Sequence, residues 1–306
     1  MTRDKNFSSI LELLDVFSDE KMCIEHLAQM RWNGKPLCPY CNHDKIYKFK
    51  SGKKFKCAKC RHLFSVRVGT IFEDSNVPLR KWFVALYLET SHKKGISSYQ
   101  LSRDIKVTQK TAWFMLHRIR EIYGNSSTEK LSGIISADET FIGGRNKNRH
   151  ADKKVKESTG RALKDKTPVI GVIQRDGKVI AKKAPDTKGK TLKGFINENV
   201  EQNSTVVTDE WLGYKGLSKN YQHEVVMHRL REYVRDGYHT NEIEGFWALL
   251  KRGIFGIYHF VSPKHLQRYC DEFTFRYNTR HISEETRFNK ALNECNSPLP
   301  YKKLVG

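Results

Sequence analysis

The chain has 306 residues, a formal net charge of +21 from 55 Lys and Arg against 34 Asp and Glu, and a mean hydropathy of −0.64 with 38% hydrophobic residues. No apolar run approaches the roughly 20 residues of a membrane span, which excludes a helical membrane protein. A surface this basic attracts polyanions, with nucleic acid the leading partner, and the length suits two or three modules.

The first residues, MTRDKNFSSILELLDVFSDE, lack the apolar stretch and small-residue cleavage site of a secretory signal, so the expected location is cytoplasmic, nucleoid-associated if the partner is DNA. Residues 1–35 read as a helical lead-in, with Phe7, Ile10, Leu11, Leu14 and Phe17 at helical spacing. Residues 36–75 carry two CxxC pairs, Cys38 with Cys41 and Cys57 with Cys60, 15 residues apart. Between them, KIYKFKSGKKFKC alternates around a Ser-Gly turn, as a hairpin does. Four thiolates at this spacing suit a closed tetrahedral zinc ribbon in which the metal is structural. Cys23, Cys270 and Cys295 are scattered and belong to no such set.

Residues 76–125 predict three helices: one opening at Val77-Pro78, a short one over SSYQLSRDI, and a longer one from Thr108, a good N-cap, to Gly124. Short helix, tight turn and longer helix form a helix-turn-helix pattern, which would direct Gln109, Lys110 and His117 toward a major groove. Residues 130–285 alternate strands and helices and predict a mixed α/β domain. Its strands are SGIISADETFIGG, the hairpin TPVIGVIQ with KVIAKKA, STVVTDEW and YQHEVVMH. KTLKGFINENV, TNEIEGFWALLKRGI and SPKHLQRYCDEFTFRYNTRH read as helices. A basic loop, 145–166, interrupts this domain and is expected to engage DNA through Arg145, Lys147 and Arg149. Residues 286–306 read as a C-terminal tail.

Three acids stand out by context. Asp138 follows IISA and Asp209 follows TVVT, each at the end of an apolar strand, where a bare carboxylate is costly. Glu244 lies on a helix that places Asn241 one turn before it and Lys251 seven residues after it on the same face. Adjacent Glu139 and Glu210 point to opposite sheet faces by strand alternation, and Glu242 faces elsewhere on its helix. Carboxylates so arranged suit Mg²⁺ or Mn²⁺, beside cations Lys251 and Arg252 for phosphates.

The motifs ADETFIGG, TDEW followed by Tyr214, HTNEIEGFWALLKRGI, and the later aromatic-basic run to Arg280 resemble bacterial insertion-sequence transposases of the DDE type. More narrowly, the chain is similar to those with an N-terminal zinc ribbon ahead of an RNase H-like catalytic domain. The resemblance implies a multi-domain α+β chain with Asp138, Asp209 and Glu244 as the metal-binding triad and Lys251 as its basic companion. It implies two-metal phosphoryl transfer that cuts element ends and joins the 3′-hydroxyl to target DNA, in a homodimer or larger assembly. A DNA-binding regulator and an RNase H-like nuclease are the alternatives, distinguished by cleavage and by strand joining respectively.

Overall fold

The computed structural model describes residues 7–124, 129–144, 150–156, 165–230, 232 and 234–305. They fall into two compact units, Met1–Ser126 with His281–Gly306, and Ser127–Arg280.

The helices of the first unit start at short polar side chains that accept otherwise orphaned backbone N–H groups. Ser9 caps α1 (Ile10–Val16) and Asp19 caps α2 (Glu20–Trp32) in this way. A three-stranded antiparallel sheet follows: β1 (Ile46–Lys48), β2 (Phe55–Cys57) and β3 (Leu63–Phe64). Its small core is Phe55 stacked on Phe64, with Trp32 edge-on to Phe55 at 5.2 Å. Then come α3 (Leu79–Ser91), α4 (Ser98–Ile105) and α5 (Gln109–Tyr123). Lys106 closes α4 in the left-handed conformation, and Thr108 caps α5, as its sequence suggests.

The second unit is built on one five-stranded sheet. Its strands are β4 (Ile134–Ile142), β5 (Thr167–Gln174), β6 (Val179–Lys183), β7 (Thr205–Asp209) and β8 (Gln222–Val226). The order across the sheet is β6-β5-β4-β7-β8. The β6-β5-β4 side is antiparallel, and β4-β7-β8 is parallel. Strand alternation separates two cores. Ile135, Ala137, Ile170, Val172 and Val206 pack against α6 (Gly189–Asn199) through Leu192, Phe195 and Ile196. The other face holds Ile142, Val169 and Ile173, covered by α7 (Asn241–Gly253), a π-helical turn (Ile254–Tyr258) and α8 (Leu266–Asn278).

Edge strand β6 exposes backbone groups that would pair with another chain. Two side chains of α8 occupy them. Asn278 accepts from the Val179 N–H at 2.8 Å and donates to the Val179 carbonyl at 2.9 Å. Gln267 accepts from the Lys183 N–H at 2.7 Å and donates to the Ala181 carbonyl at 3.3 Å.

The end of the chain corrects the expected layout. Residues 286–306 are no tail: α9 (Glu284–Asn293) and α10 (Tyr301–Val305) belong to the first unit. Phe288 is fully buried and packs on Phe83 at 5.4 Å, itself 4.9 Å from Phe17. Buried Arg118 of α5 donates to the carbonyls of Leu299, Ile71 and Glu73, tying three backbone segments together. No local pattern in the sequence announces this return, because the contacts that stabilise it are non-local.

The α7–α8 contact depends on a missing side chain: a Cβ on Gly253 would overlap the buried Phe273 ring. Gly253→Ala is therefore expected to lower stability by about 1–3 kcal/mol, read from a urea unfolding midpoint. An unchanged midpoint would show that the helices part without cost.

Candidate functional site

Two sites carry chemistry. In the first unit, the Sγ atoms of Cys38, Cys41, Cys57 and Cys60 all lie within 4.8 Å of one another. Sulfur pairs Cys38–Cys60 and Cys41–Cys57 are 3.5 and 3.6 Å apart. A tetrahedron with Zn–S bonds of about 2.3 Å places its sulfurs roughly 3.8 Å apart, so the cluster fits a zinc ion. Each pair sits on a tight knuckle: the Asn42 N–H donates to the Cys38 carbonyl, and the Cys60 N–H points at the Cys57 sulfur. With four thiolates and two of them fully buried, the site leaves no open coordination position and suits structural zinc.

The second site is a pocket of about 550 Å³ along the C-terminal half of β4 and the end of β7, roofed by α7. Asp209 closes β7 as expected, but Asp138, expected at a strand end, is the fifth of the nine residues of β4, because the strand runs on through Thr140, Phe141 and Ile142 to pair with β5. Asp138, Asp209, Glu244 and Lys251 all line it. Strands β4 and β7 run parallel with Ser136 opposite Val207. Carrying that register two residues onward sets Asp138 beside Asp209 on the same sheet face. Helix α7 crosses this face and presents Glu244, Trp247, Ala248 and Lys251, the spacing of one helical stripe.

The charges are unevenly compensated. Burial pushes the Asp138 carboxyl up to about 7, and the neighbouring Glu139 and Asp209 carboxylates push the same way. Burial holds the Lys251 ammonium below its ordinary value, while the Asp138 charge pulls it back up. Asp209 accepts from the Trp211 N–H at 3.0 Å. Glu244 accepts from the Thr240 hydroxyl at 2.8 Å, and His228 Nε2 is 3.8 Å away. Among the described residues, only the four cysteines bring three or more ligand atoms within 4.8 Å of one another. The three carboxylates thus share a pocket, each still held by its local partner. Their donor set, oxygen-only and open to solvent on one side, fits Mg²⁺ or Mn²⁺ rather than zinc.

The neighbouring acids separate as alternation requires. Glu139 is buried on the α6 face, where the Tyr214 hydroxyl donates to it at 2.8 Å. Glu210 accepts from the His228 N–H at 2.9 Å and lies 3.3 Å from Arg229 Nε.

Sequence reasoning missed three residues here. Trp247 donates its indole N–H to Asp138 Oδ2 at 3.0 Å. Gly171 is the register partner of Asp138, and a Cβ there would come within 2.6 Å of the Trp247 ring. The glycine therefore leaves room for the indole to lie on β5 and reach the carboxylate. An indole supplies a donor without a charge, so Asp138 is oriented without being paired to a protein cation. The spacing Glu244–Trp247–Lys251 carried this signal. His228, from the loop after β8, joins the pocket without any pattern to flag it, while the nearby His239 carbonyl accepts from the Ser136 hydroxyl at 2.9 Å.

The expected DNA contacts fare unequally. Lys110 is exposed, 5.5 Å above the Tyr301 ring, and Gln109 is half-buried and donates to Ser98 at 2.8 Å. His117 is a correction: at 1% exposure, with its ring 4.4 Å from Trp113, it cannot reach a groove. Residues 115–120 of α5 are buried on every side, which a helical-wheel reading of α5 alone does not reveal. Asn241 and Arg252 are exposed on α7. Arg145, Lys147 and Arg149 lie outside the described residues.

A family model for the ISXO2-like transposase domain matches residues 130–278, and one for the transposase zinc-ribbon domain matches residues 18–63. An uncharacterized protein in transposable element ISH50 of Halobacterium salinarum is 28% identical over 278 residues, covering 86% of this chain and 92% of that protein. Among solved structures, the Mos1 strand transfer complex gives a TM-score of 0.28 at 16% identity, over 69% of this chain and 75% of that one. A pre-cleavage Mos1 transpososome gives 0.21 at 14% identity, over 67% and 75%.

Two outcomes follow from the sites. Cys57→Ser should release zinc, measured by atomic emission, and unfold the ribbon; retained stoichiometric zinc would contradict the cluster assignment. For Asp138, the folded carboxyl near 7 lies above its ordinary 3.8, so the folded state binds the extra proton and stability falls as pH rises through that window. Metal-free Asp138→Asn should therefore melt with wild type near about pH 4 and several degrees above it near about pH 8. Equal melting at both would show that Asp138 carries no charge penalty.

Proposed function

We propose that the chain, which belongs to the insertion-sequence transposase family with its zinc-ribbon domain (residues 18–63) ahead of its transposase domain (residues 130–278), cuts DNA at the ends of its element and joins the freed 3′-hydroxyl to target DNA. The observation that carries this reading is that Asp138 of β4, Asp209 of β7 and the Glu244–Lys251 stripe of α7 line one pocket. Two strand aspartates and a helical glutamate, drawn from three elements, line one pocket in a chain of net charge +21. The sheet order, with three antiparallel strands followed by two parallel ones and helices on both faces, supports an RNase H-like reading of residues 130–285.

Asp138, Asp209 and Glu244 would hold Mg²⁺ or Mn²⁺, which when bound activates an oxygen nucleophile and stabilises the charge that builds on the reacting phosphate. In cleavage, a water oxygen bonds to the scissile phosphorus while the 3′ oxygen leaves and takes a proton. In joining, that 3′-hydroxyl bonds to a target phosphorus, whose own 3′ oxygen leaves as a hydroxyl. Lys251, half-buried beside Asp138, binds the phosphate and fixes it against the carboxylates. Trp247 orients Asp138 through its indole N–H. Thr240, hydrogen-bonded to Glu244, sets that side chain at the pocket rim. No covalent protein–DNA bond is formed, so no nucleophilic side chain is required.

Residues 36–75 form the zinc ribbon and residues 76–125 the helix-turn-helix that recognise the element ends, with exposed Lys110 at the start of α5 facing the DNA. The basic loop 145–166 and the exposed cations of α7 hold the strands. Double-stranded DNA is the partner, both as element ends and as target. Two ends must be joined, so the working form is a homodimer or larger assembly.

The test is a duplex carrying the element's terminal repeat, incubated with Mg²⁺. Wild type should nick and join it. Asp138→Ala, Asp209→Ala and Glu244→Ala should each lose about a thousandfold or more in rate, and Lys251→Ala about a hundredfold. Nicking by Asp138→Ala at the wild-type rate would sink the assignment, and products that are only ever hydrolysed would leave a nuclease.

A further inference from the structure

Beyond Lys251 the stripe of α7 does not stop. Phe255 lies four residues further on, in the π-helical turn, and is 47% exposed. It stands about 16 Å from Glu244 along the axis, counting 1.5 Å per residue. Immediately afterwards the backbone turns at His259 with φ 60° and ψ −46°, and the Phe260 N–H donates back to the Tyr258 carbonyl at 2.6 Å. This is a γ-turn of the positive-φ kind, rare and strained for a residue with a side chain. It projects Phe260 outward at 73% exposure.

The strained turn is anchored from below. The Tyr258 hydroxyl donates to Glu272 at 2.6 Å, and Arg276 is 2.8 Å from the same carboxylate. Glu272 is fully buried and Arg276 nearly so. The Tyr258 ring packs edge-on to Tyr269 at 4.7 Å. A buried ion pair thus fixes the residue that precedes the strain, and the cost of the turn is spent on presenting one aromatic ring to solvent.

The surroundings state what that ring meets. From Gly245 to Cys270 the sequence contains no Asp or Glu, while Lys251, Arg252, Lys264 and Arg268 are all basic. An apolar ring in a stretch of one positive sign suits a ligand that is anionic along its backbone and flat and apolar between its charges. Unpaired nucleotides have both properties, since every base offers a face for stacking whatever its sequence. A protein surface would offer apolar area without the negative charge.

We infer that Phe255 and Phe260 form a stacking platform for unpaired bases of the DNA strand leaving the carboxylate pocket, holding the duplex open next to the cut. The inference rests on the DNA reading above and goes beyond it by naming where the strands separate. Phe260 acts as the wedge, and Phe255 continues the path from Lys251.

The experiment uses the full chain and two DNA probes of one sequence, a blunt duplex and a forked duplex with an unpaired tail, with binding followed by fluorescence anisotropy. Wild type should prefer the fork by about tenfold, in line with stacking contributions of single aromatics. Phe260→Ala should remove that preference and leave blunt-duplex affinity within about twofold, while Phe260→Trp should restore it. Phe255→Ala should weaken fork binding in the same direction. Thermal melting checks that the variants are folded, as expected for exposed side chains. Equal binding of both probes by wild type would overturn the platform and spare the DNA reading. Absence of binding to either probe would overturn the DNA reading itself. Loss of self-association in Phe260→Ala with the fork preference intact would assign the ring to a contact between copies of the chain and overturn the inference.

Discussion

Two like charges set side by side on adjacent parallel strands are the constraint around which the second unit is arranged. The Asp209 charge repels that of Asp138, which the pocket strips of much of its water, and Lys251 is a cation lining the same pocket. A fold selected for stability alone would separate these carboxylates or neutralise them with an arginine. Instead Asp138 receives an uncharged indole N–H, and its carboxyl is pushed up to about 7. Such an arrangement is costly in the free protein and, on the proposed function, would become favourable with a divalent cation in place of the missing water.

Holding that arrangement requires stiffness nearby, and the sequence supplies it through absent side chains and saturated edges. Gly171 lets the Trp247 ring lie against β5, and Gly253 lets α7 approach Phe273 of α8. Gln267 and Asn278 then fasten α8 to the free edge of β6. Helix α7 is therefore held at both ends of its buried stripe, by Ile243, Phe246 and Leu250 toward the sheet and by the anchored turn after Ile254. Its exposed stripe can carry Glu244 and Lys251 at fixed positions because its buried stripe does not move.

Much of this was legible in the sequence, and what was not has a common cause. The CxxC pairs, the aspartates that follow apolar runs, the Glu244–Lys251 face and the caps of the helices are local patterns, set by spacing and by the needs of backbone N–H groups; that β4 continues four residues past Asp138 was not legible, because it depends on pairing with β5. The alternation argument also separated Asp138 from Glu139, which the structure puts on opposite faces. The misses depend on contacts between distant residues. His117 lies in a stretch of α5 buried on every side, where the adjacent Arg118 binds the loop at Ile71 and the segment near Leu299. Residues after Arg280 rejoin the first unit because Phe288 completes its aromatic core. Gly171 has meaning only once it is known to oppose Asp138, and the γ-turn at His259 depends on a buried glutamate 13 residues further on.

The central claim is that the carboxylate pocket is destabilised until it binds a divalent cation. The most direct measurement is the melting temperature of DNA-free protein, near neutral pH, titrated with Mn²⁺. Wild type should rise with Mn²⁺ as binding to the folded state demands, and Asp138→Asn and Asp209→Asn should begin higher and rise less. A wild-type melting temperature indifferent to Mn²⁺, or a rise of equal size in both asparagine variants, would contradict the account.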